Sequence, residues 1–244
     1  MANDKNSTQS KKESPSSKAK LLIGAGIVCV IVIILIAALS PKGSVANDNG
    51  TGGGEASSAD STHEPGTDAD TDNGLDGSLT YYADIEIKDY GTITVRLDQN
   101  AAPATVANFV ELSKSGFYDG LTFHRIINGF MMQGGDPLGT GFGGSDKNIY
   151  GEFASNGYNN TLSHTRGAIS MARAAKNPNS ASSQFFIVHK DSKHLDGDYA
   201  AFGYVTSGMD IVDAICESAK PIDANGSIAA EDQPVITSVT IRTE

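Results

Sequence analysis

The run FHRIINGFMMQGGD, Phe123 to Asp136, places one arginine and one glutamine among large apolar side chains at alternating, strand-like spacing. An arginine is permanently charged and is seldom set beside phenylalanine and methionine unless its guanidinium has a partner or a task. No acidic residue lies between Phe123 and Gly135 to neutralise Arg125. One cation and one amide within an apolar strand pair suit a pocket for a neutral ligand.

Outward from that run the periodicity is mostly that of strands. Tyr81 to Leu97 alternates, with Ile85, Ile87, Ile93, Val95 and Leu97 on one face and Asp89-Tyr90-Gly91 as the turn, which predicts an opening hairpin. Val106, Phe109, Val110 and Leu112 fall at helical spacing behind Pro103, and Gly116 follows, so a helix is predicted over Pro103 to Ser115. Short apolar runs come next at Thr122–Ile126, Gly129–Gln133, Ala168–Ala172, Phe185–His189 and Ala201–Val205; a second helix is predicted from Met209 to about Ser218, and a last strand over Val235–Arg242. About eight short strands and two helices, with no repeated strand–helix alternation, predict an antiparallel barrel or sandwich with helical caps and exclude a parallel α/β sheet. The glycine-rich stretch Gly139 to Gly144 does not open a helix after a strand and lacks a following Gly-Lys-Ser/Thr, so it reads as a surface loop and not a phosphate cradle.

Four blocks in order narrow the choice: the Phe123–Asp136 run, Gly167-Ala168-Ile169-Ser170-Met171-Ala172, Ser183-Gln184-Phe185-Phe186-Ile187, and Leu195-Asp196-Gly197 followed by Phe202-Gly203. Together with Thr105, Asn108 and Phe109 in the first helix, they resemble the cyclophilin family of peptidyl-prolyl cis-trans isomerases from about Tyr81 to the end of the chain. The resemblance implies a mainly β fold, a closed eight-stranded antiparallel β-barrel capped by two α-helices, with the active site in a groove on the outside of the barrel. It puts the catalytic arginine on Arg125, and on Gln133 the glutamine that holds that arginine and the substrate backbone. It implies a proline pocket made of Phe130, Met131, Phe186 and Leu195, and peptide-groove positions at Ala172 and Gln184. His194 and Tyr199 also fall at substrate-binding positions, where better-known eukaryotic members carry tryptophan and histidine respectively. Arg173 stands where asparagine is frequent.

Such a reaction breaks no covalent bond, so it needs no nucleophile, metal or proton shuttle, and no cofactor is expected. Rotation about an X-Pro amide is opposed by resonance, with a barrier near ~20 kcal/mol. In the twisted state the prolyl nitrogen regains its lone pair, and a guanidinium aimed at it binds that state better than either planar isomer. Each residue alone has an ordinary alternative: Phe130, Met131 and Phe186 as core, Arg125 as half of a surface ion pair, Gln133 as a satisfied strand amide. A binding module that holds proline-containing segments without turnover is the alternative at the level of function. A serine hydrolase is disfavoured because no Gly-x-Ser-x-Gly elbow occurs. No zinc-ligand spacing links His124, His164, His189 and His194.

The rest of the chain bears on location. Residues 21–39 are nineteen uncharged positions rich in Ile, Leu and Val, near the length of a transmembrane helix. Lys5, Lys11, Lys12, Lys18 and Lys20 precede them, and beyond them only Lys42 is basic before Lys88. By the positive-inside tendency the tail 1–20 is cytoplasmic and everything after the span is exported. The alternative is a cleaved signal peptide with Ser44-Val45-Ala46 near the cut, which would release a secreted protein; the apolar run is longer than the about 7 to 15 residues usual for such a segment. Residues 40–78 are Gly, Ser, Thr, Asn, Asp and Ala with almost nothing apolar, and predict a disordered acidic tether. The predicted isomerase domain, 79–244, carries 12 basic and 19 acidic side chains, a formal charge of −7, which excludes nucleic acid as a partner. Its predicted partners are proline-containing segments of unfolded or exported proteins, the membrane through the amino-terminal helix alone, and no second copy of the catalytic domain. The two cysteines, Cys29 in the apolar span and Cys216 in the second helix, predict no disulfide.

An imidazole at His194 is smaller and more polar than an indole, so weak binding of cyclosporin-type ligands is expected. Calorimetry checks this, and a nanomolar dissociation constant would refute it.

Overall fold

The computed structural model describes residues 74–244. The predicted tail 1–20, the apolar span 21–39 and all but the end of the predicted tether lie outside the described residues. Among the described residues no helix is long and apolar enough to cross a membrane.

Eight strands form one antiparallel sheet: β1 Tyr81–Ile87, β2 Gly91–Leu97, β3 Arg125–Ile127, β4 Met131–Gly134, β5 Ala168–Met171, β6 Phe185–Val188, β7 Ala201–Ser207 and β8 Ile236–Thr243. Their spatial order is β3-β4-β6-β5-β7-β2-β1-β8. The opening hairpin pairs Tyr81 with Leu97 through to Ile87 with Gly91. Its buried side chains, Tyr81, Ala83, Ile85, Ile87, Ile93, Val95 and Leu97, lie on the one face that the alternation predicts. Asp89 and Gly91 take positive φ in the turn, a conformation that glycine adopts without strain.

The sheet does not close strand to strand as the sequence leads one to expect. Its edges, β3 and β8, share no ladder. They are joined instead by the segment preceding β3: the Phe123 N–H donates to the Pro234 carbonyl, and the Ile236 N–H to that of Leu121. The run predicted as a strand over Thr122–Ile126 is thus mostly a bridging segment, because its pairing alternates between two partners at isolated positions. Where the chain leaves β4, space decides the sequence: a Cβ on Gly134 would lie 2.7 Å from the Thr122 carbonyl oxygen and one on Gly135 2.6 Å from that of Ser183.

Helix α1, Pro103–Lys114, turns Val106, Phe109 and Val110 onto the sheet. There Phe109 meets Tyr118, Phe185 and Phe202 at 5.1 to 5.5 Å between ring centres, spacing at which aromatic pairs attract. Helix α2, Met209–Ser218, buries Val212, Ile215 and Cys216. Residues 75–79 belong to this body: Leu75 and Leu79 pack against the core, and the Asp76 N–H donates to the Tyr81 hydroxyl at 2.9 Å.

The amino terminus of α1 has no side-chain cap of its own, since Ala102 occupies that place. Glu152, 2% exposed and remote in sequence, supplies the missing acceptors. Its carboxylate receives the Ala104 N–H at 3.0 Å, the Thr105 N–H at 2.8 Å and the Thr105 hydroxyl at 2.6 Å. Charge-assisted bonds to otherwise orphaned helix donors are among the stronger ones. Glu152→Ala is expected to destabilise the domain by about 3 kcal/mol, with Glu152→Gln recovering part of the loss; urea unfolding measures both.

Candidate active site

Alternation along β3, β4, β5 and β6 gives the sheet a second face. Ile126, Met132, Ile169, Met171, Phe185 and Ile187 enter the main core. Their neighbours Met131, Ala168, Phe186 and Val188 form a separate cluster on the opposite face with Leu195. Register aligns the polar positions among them: Arg125 is opposite Gln133, Gln133 opposite Phe186, and Phe186 opposite Ser170. One row across four strands therefore carries a cation, an amide, an aromatic ring and a hydroxyl.

Around that row the sequence-predicted residues converge. Met131, Phe186 and Leu195 are buried in the outer cluster, and Phe130, Ala172 and Tyr199 pack against it partly exposed. His194 lies against Phe130, ring centres 5.6 Å apart, and Tyr199 meets Phe186 edge-on at 6.0 Å. The Arg173 guanidinium sits 4.8 Å from the Tyr199 ring and 5.1 Å from Phe153, while its Nε donates to the Asp198 carbonyl at 2.9 Å.

Arg125 is half-buried at the edge of this apolar surface and makes no ion pair among the described residues. Its partners are neutral. Nε donates to the Asn225 carbonyl at 2.7 Å, and one terminal nitrogen donates to Gln133 Oε1 at 3.2 Å and meets Met131 Sδ at 3.8 Å. Gln133 Nε2 in turn donates to Gln184 Oε1 at 2.8 Å, and Gln184 Nε2 to the Gly143 carbonyl at 2.8 Å. The two amides are thereby oriented end to end, each with its acceptor toward Arg125. Burial lowers the pKa of Arg125, yet a guanidinium keeps its proton throughout the range in which proteins work.

Two carbonyls in that chain, of Asn225 and Gly143, carry no sequence signal, because every residue has a carbonyl. Asn225 is aimed by Asp223, whose carboxylate accepts the N–H groups of Asn225 at 2.9 Å and Ser227 at 3.0 Å. Asp136 does the same for the loop that ends in Gly143, accepting from Leu138, Thr140 and Gly141 at 2.6 to 2.9 Å. Burial alone would raise the Asp136 pKa; these backbone donors outweigh it and hold the carboxyl below its ordinary value.

Two buried histidines back the site. His164 stacks on Phe186 at 6.0 Å, with Nδ1 2.8 Å from Asp196 and Nε2 3.0 Å from the Ser170 hydroxyl. The carboxylate can only accept, so Nδ1 carries the proton and Nε2 receives the hydroxyl's. His124, directly before Arg125, is 5% exposed, and neither ring nitrogen has a hydrogen-bond partner among the described residues. No group of His, Cys, Asp and Glu suited to a metal ion occurs among the described residues.

Sheet order, an outer apolar cluster and a neutral-bonded arginine at its rim define a cyclophilin-like domain. The family model for cyclophilin-type peptidyl-prolyl cis-trans isomerases matches residues 82–242. Peptidyl-prolyl cis-trans isomerase B of Bacillus subtilis is 49% identical over 124 residues, which is 51% of this chain and 82% of that protein. A peptidyl-prolyl cis-trans isomerase of Helicobacter pylori is 46% identical over 138 residues, 56% of this chain and 81% of its own. Among solved structures, a cyclophilin-type isomerase of Cryptosporidium parvum, crystallised in the presence of the dipeptide Ala-Pro, superposes with a TM-score of 0.59 at 32% identity, covering 67% of this chain and 99% of its own. The chain belongs to the cyclophilin-type peptidyl-prolyl cis-trans isomerases. It is accordingly an enzyme, and its reaction is rotation about the X-Pro peptide bond.

Burial pushes the His124 pKa from 6.5 down to about 4, Asp136 opposing and Arg125 reinforcing the shift; burial lowers His164 too. A histidine whose folded pKa lies below its unfolded one favours folding fully above pH 6.5 and loses that contribution as the unfolded chain takes up protons. The described carboxylates that shift are lowered from 3.8, so their effect is felt from about pH 5 downward and overlaps only the acid end of the histidine window. Stability is therefore expected to fall by about 3 kcal/mol from His124 alone between pH 6.5 and 4. Urea unfolding across that range, with the imidazole followed by NMR, checks it; a ring titrating near 6.5 in the folded protein would refute it.

Proposed function

We propose that Arg125 is the catalytic group, that Phe130, Met131, Phe186 and Leu195 grip the proline ring with His194 and Tyr199 at the margin, and that Gln133, Gln184 and Ala172 align the peptide backbone. The observation that carries this reading is the guanidinium at the rim of an apolar cluster, bonded only to neutral oxygens and a thioether. A carboxylate partner would cancel its charge at the point where a lone pair develops. Neutral partners fix its direction and leave the field intact.

The steps follow from the chemistry of the amide. A proline ring enters the apolar cluster while its carbonyl side stays free to turn. As the C–N bond twists, resonance is lost and the prolyl nitrogen becomes an acceptor, which Arg125 meets with an N–H. Exclusion of water by the surrounding rings keeps that contact strong. Shortening minutes to milliseconds, about 10⁴-fold, requires roughly 5 to 6 kcal/mol of extra binding in the twisted state, within reach of one charge-assisted contact plus positioning. The Ala-Pro dipeptide present with the Cryptosporidium relative supports short proline-containing segments as ligands here.

The clients in this proposal are exported proteins. The domain would stand outside the membrane, tethered through residues 21–39 and the acidic stretch after them, a reading supported by the lysine asymmetry about that uncharged run.

Arg125→Ala is expected to lower kcat/KM on an Ala-Pro tetrapeptide by roughly 10² to 10³-fold, with Arg125→Lys recovering little because an ammonium lacks the planar fork. NMR exchange spectroscopy or a protease-coupled assay reads the rate. Unchanged turnover in Arg125→Ala would overturn the assignment.

A further inference from the structure

His189 lies at the end of β6, away from Arg125, and uses every polar group it has. Its backbone N–H donates to the Phe130 carbonyl at 2.9 Å. Its Nδ1 accepts the Gly129 N–H at 2.9 Å. Its Nε2 is 3.1 Å from an Asp213 carboxylate oxygen, and its carbonyl accepts from Arg166 at 2.8 Å. An Nδ1 that accepts cannot also carry the proton, so the proton sits on Nε2, which donates a hydrogen bond to Asp213. Asp213 belongs to α2, and Arg166 grips it with two bonds of 2.7 Å. Arg166 is itself fixed through its backbone N–H to Asp191 at 2.8 Å.

What this assembly holds is the tight turn between β3 and β4. Gly129 takes a φ of +77°, and the Phe130 N–H returns to the Ile127 carbonyl at 3.0 Å. Asn128 and Gly129 are exposed, and Phe130 is partly so; a three-residue strand on one side and a four-residue strand on the other give the turn little support of their own. His189 holds it at two consecutive residues, its backbone N–H donating to the Phe130 carbonyl and its ring accepting from the Gly129 N–H. The Phe130 ring is thereby set against His194 and the outer apolar cluster.

We propose that His189, held by Asp213 and Arg166, is a positioning residue that pins the Phe130 wall of the proline pocket to helix α2. The proposal rests on Phe130 serving as that wall. It makes the imidazole a structural clamp acting through another side chain, and predicts loss of grip on the ring without loss of the chemical step. Loosening a wall that binds planar and twisted states alike raises KM and leaves kcat.

Tetrapeptide kinetics on the full chain test this with three variants. His189→Ala removes the acceptor and is expected to raise KM roughly five- to tenfold with kcat within about twofold. His189→Asn keeps an oxygen where Nδ1 stood, and is expected to restore KM and the slow hydrogen exchange of the Gly129 amide. Asp213→Ala frees the ring from α2 and is expected to follow His189→Ala. Wild-type KM in His189→Ala, or His189→Asn behaving as badly as His189→Ala, would overturn the proposal, as would a Gly129 amide equally protected in all variants. Arg125→Ala run beside them separates the two readings: loss of kcat there with unchanged KM in His189→Ala removes only the clamp, whereas full kcat there removes the site assignment itself.

Discussion

A guanidinium half sunk in apolar surroundings must be held in place without being neutralised, and the rest of this domain is arranged around that constraint. A carboxylate would hold Arg125 more tightly, but at ion-pair distance it would cancel most of the field the cation exerts on a neighbouring atom. Amides and carbonyls hold it by direction instead. The chain from Arg125 through Gln133 and Gln184 to the Gly143 carbonyl has an end fixed by Asp136, whose charge is absorbed by the backbone N–H groups of its own loop. On the other side Asp223 aims Asn225 in the same manner. The nearby negative charges are each turned toward loop backbone, so they organise the arginine's partners and do not quench it.

The strand pattern that makes this row also makes the core. With a side-chain period of two, Met131 and Met132 enter different apolar clusters, and so do Phe185 and Phe186. A slip of one residue in β4 would exchange its two faces, putting Gln133 into the core and Met132 into the outer cluster. Register is therefore a stability constraint and a functional one at once. The close approach at Gly134 and Gly135 enforces it, because only a residue without a Cβ lets β4 cross beside Thr122 and Ser183.

Much of this was legible in the chain itself. Alternation at Ile85, Ile87, Ile93 and Val95 placed the hairpin, and Pro103 with Val106, Phe109 and Val110 placed α1. Barrel and sandwich could not be separated by periodicity; the blocks that resemble a family did that. The way the sheet edges join was not readable, since it depends on single backbone bonds from residues 121–123 to 234–236, which leave no periodic trace. The positions of Arg125, Gln133, Phe130, Met131, Phe186 and Leu195 came from motif likeness, and the structure gathers them on one face. What holds them was hidden: carbonyls of Gly143 and Asn225, and histidines whose role is set by neighbours distant in sequence. His164 and His189 look alike in the sequence, yet one protonates on Nδ1 toward Asp196 and the other on Nε2 toward Asp213.

An enzyme that only turns a bond has little chemistry to contribute, so its rigidity matters more than its reactivity. The substrate supplies the motion, and the walls have to keep hold of the ring while its carbonyl side turns. The walls of the proposed pocket are each backed by a polar side chain: Phe186 by the stacked ring of His164, Tyr199 by the Arg173 guanidinium lying over it, and the Phe130 turn by His189. Buried polar groups of this kind, fully bonded, add little net stability but admit one arrangement of their neighbours. Their place in this fold, behind the outer apolar cluster, is where stiffness can be added without introducing a polar group that would compete with the contact proposed between Arg125 and the prolyl nitrogen.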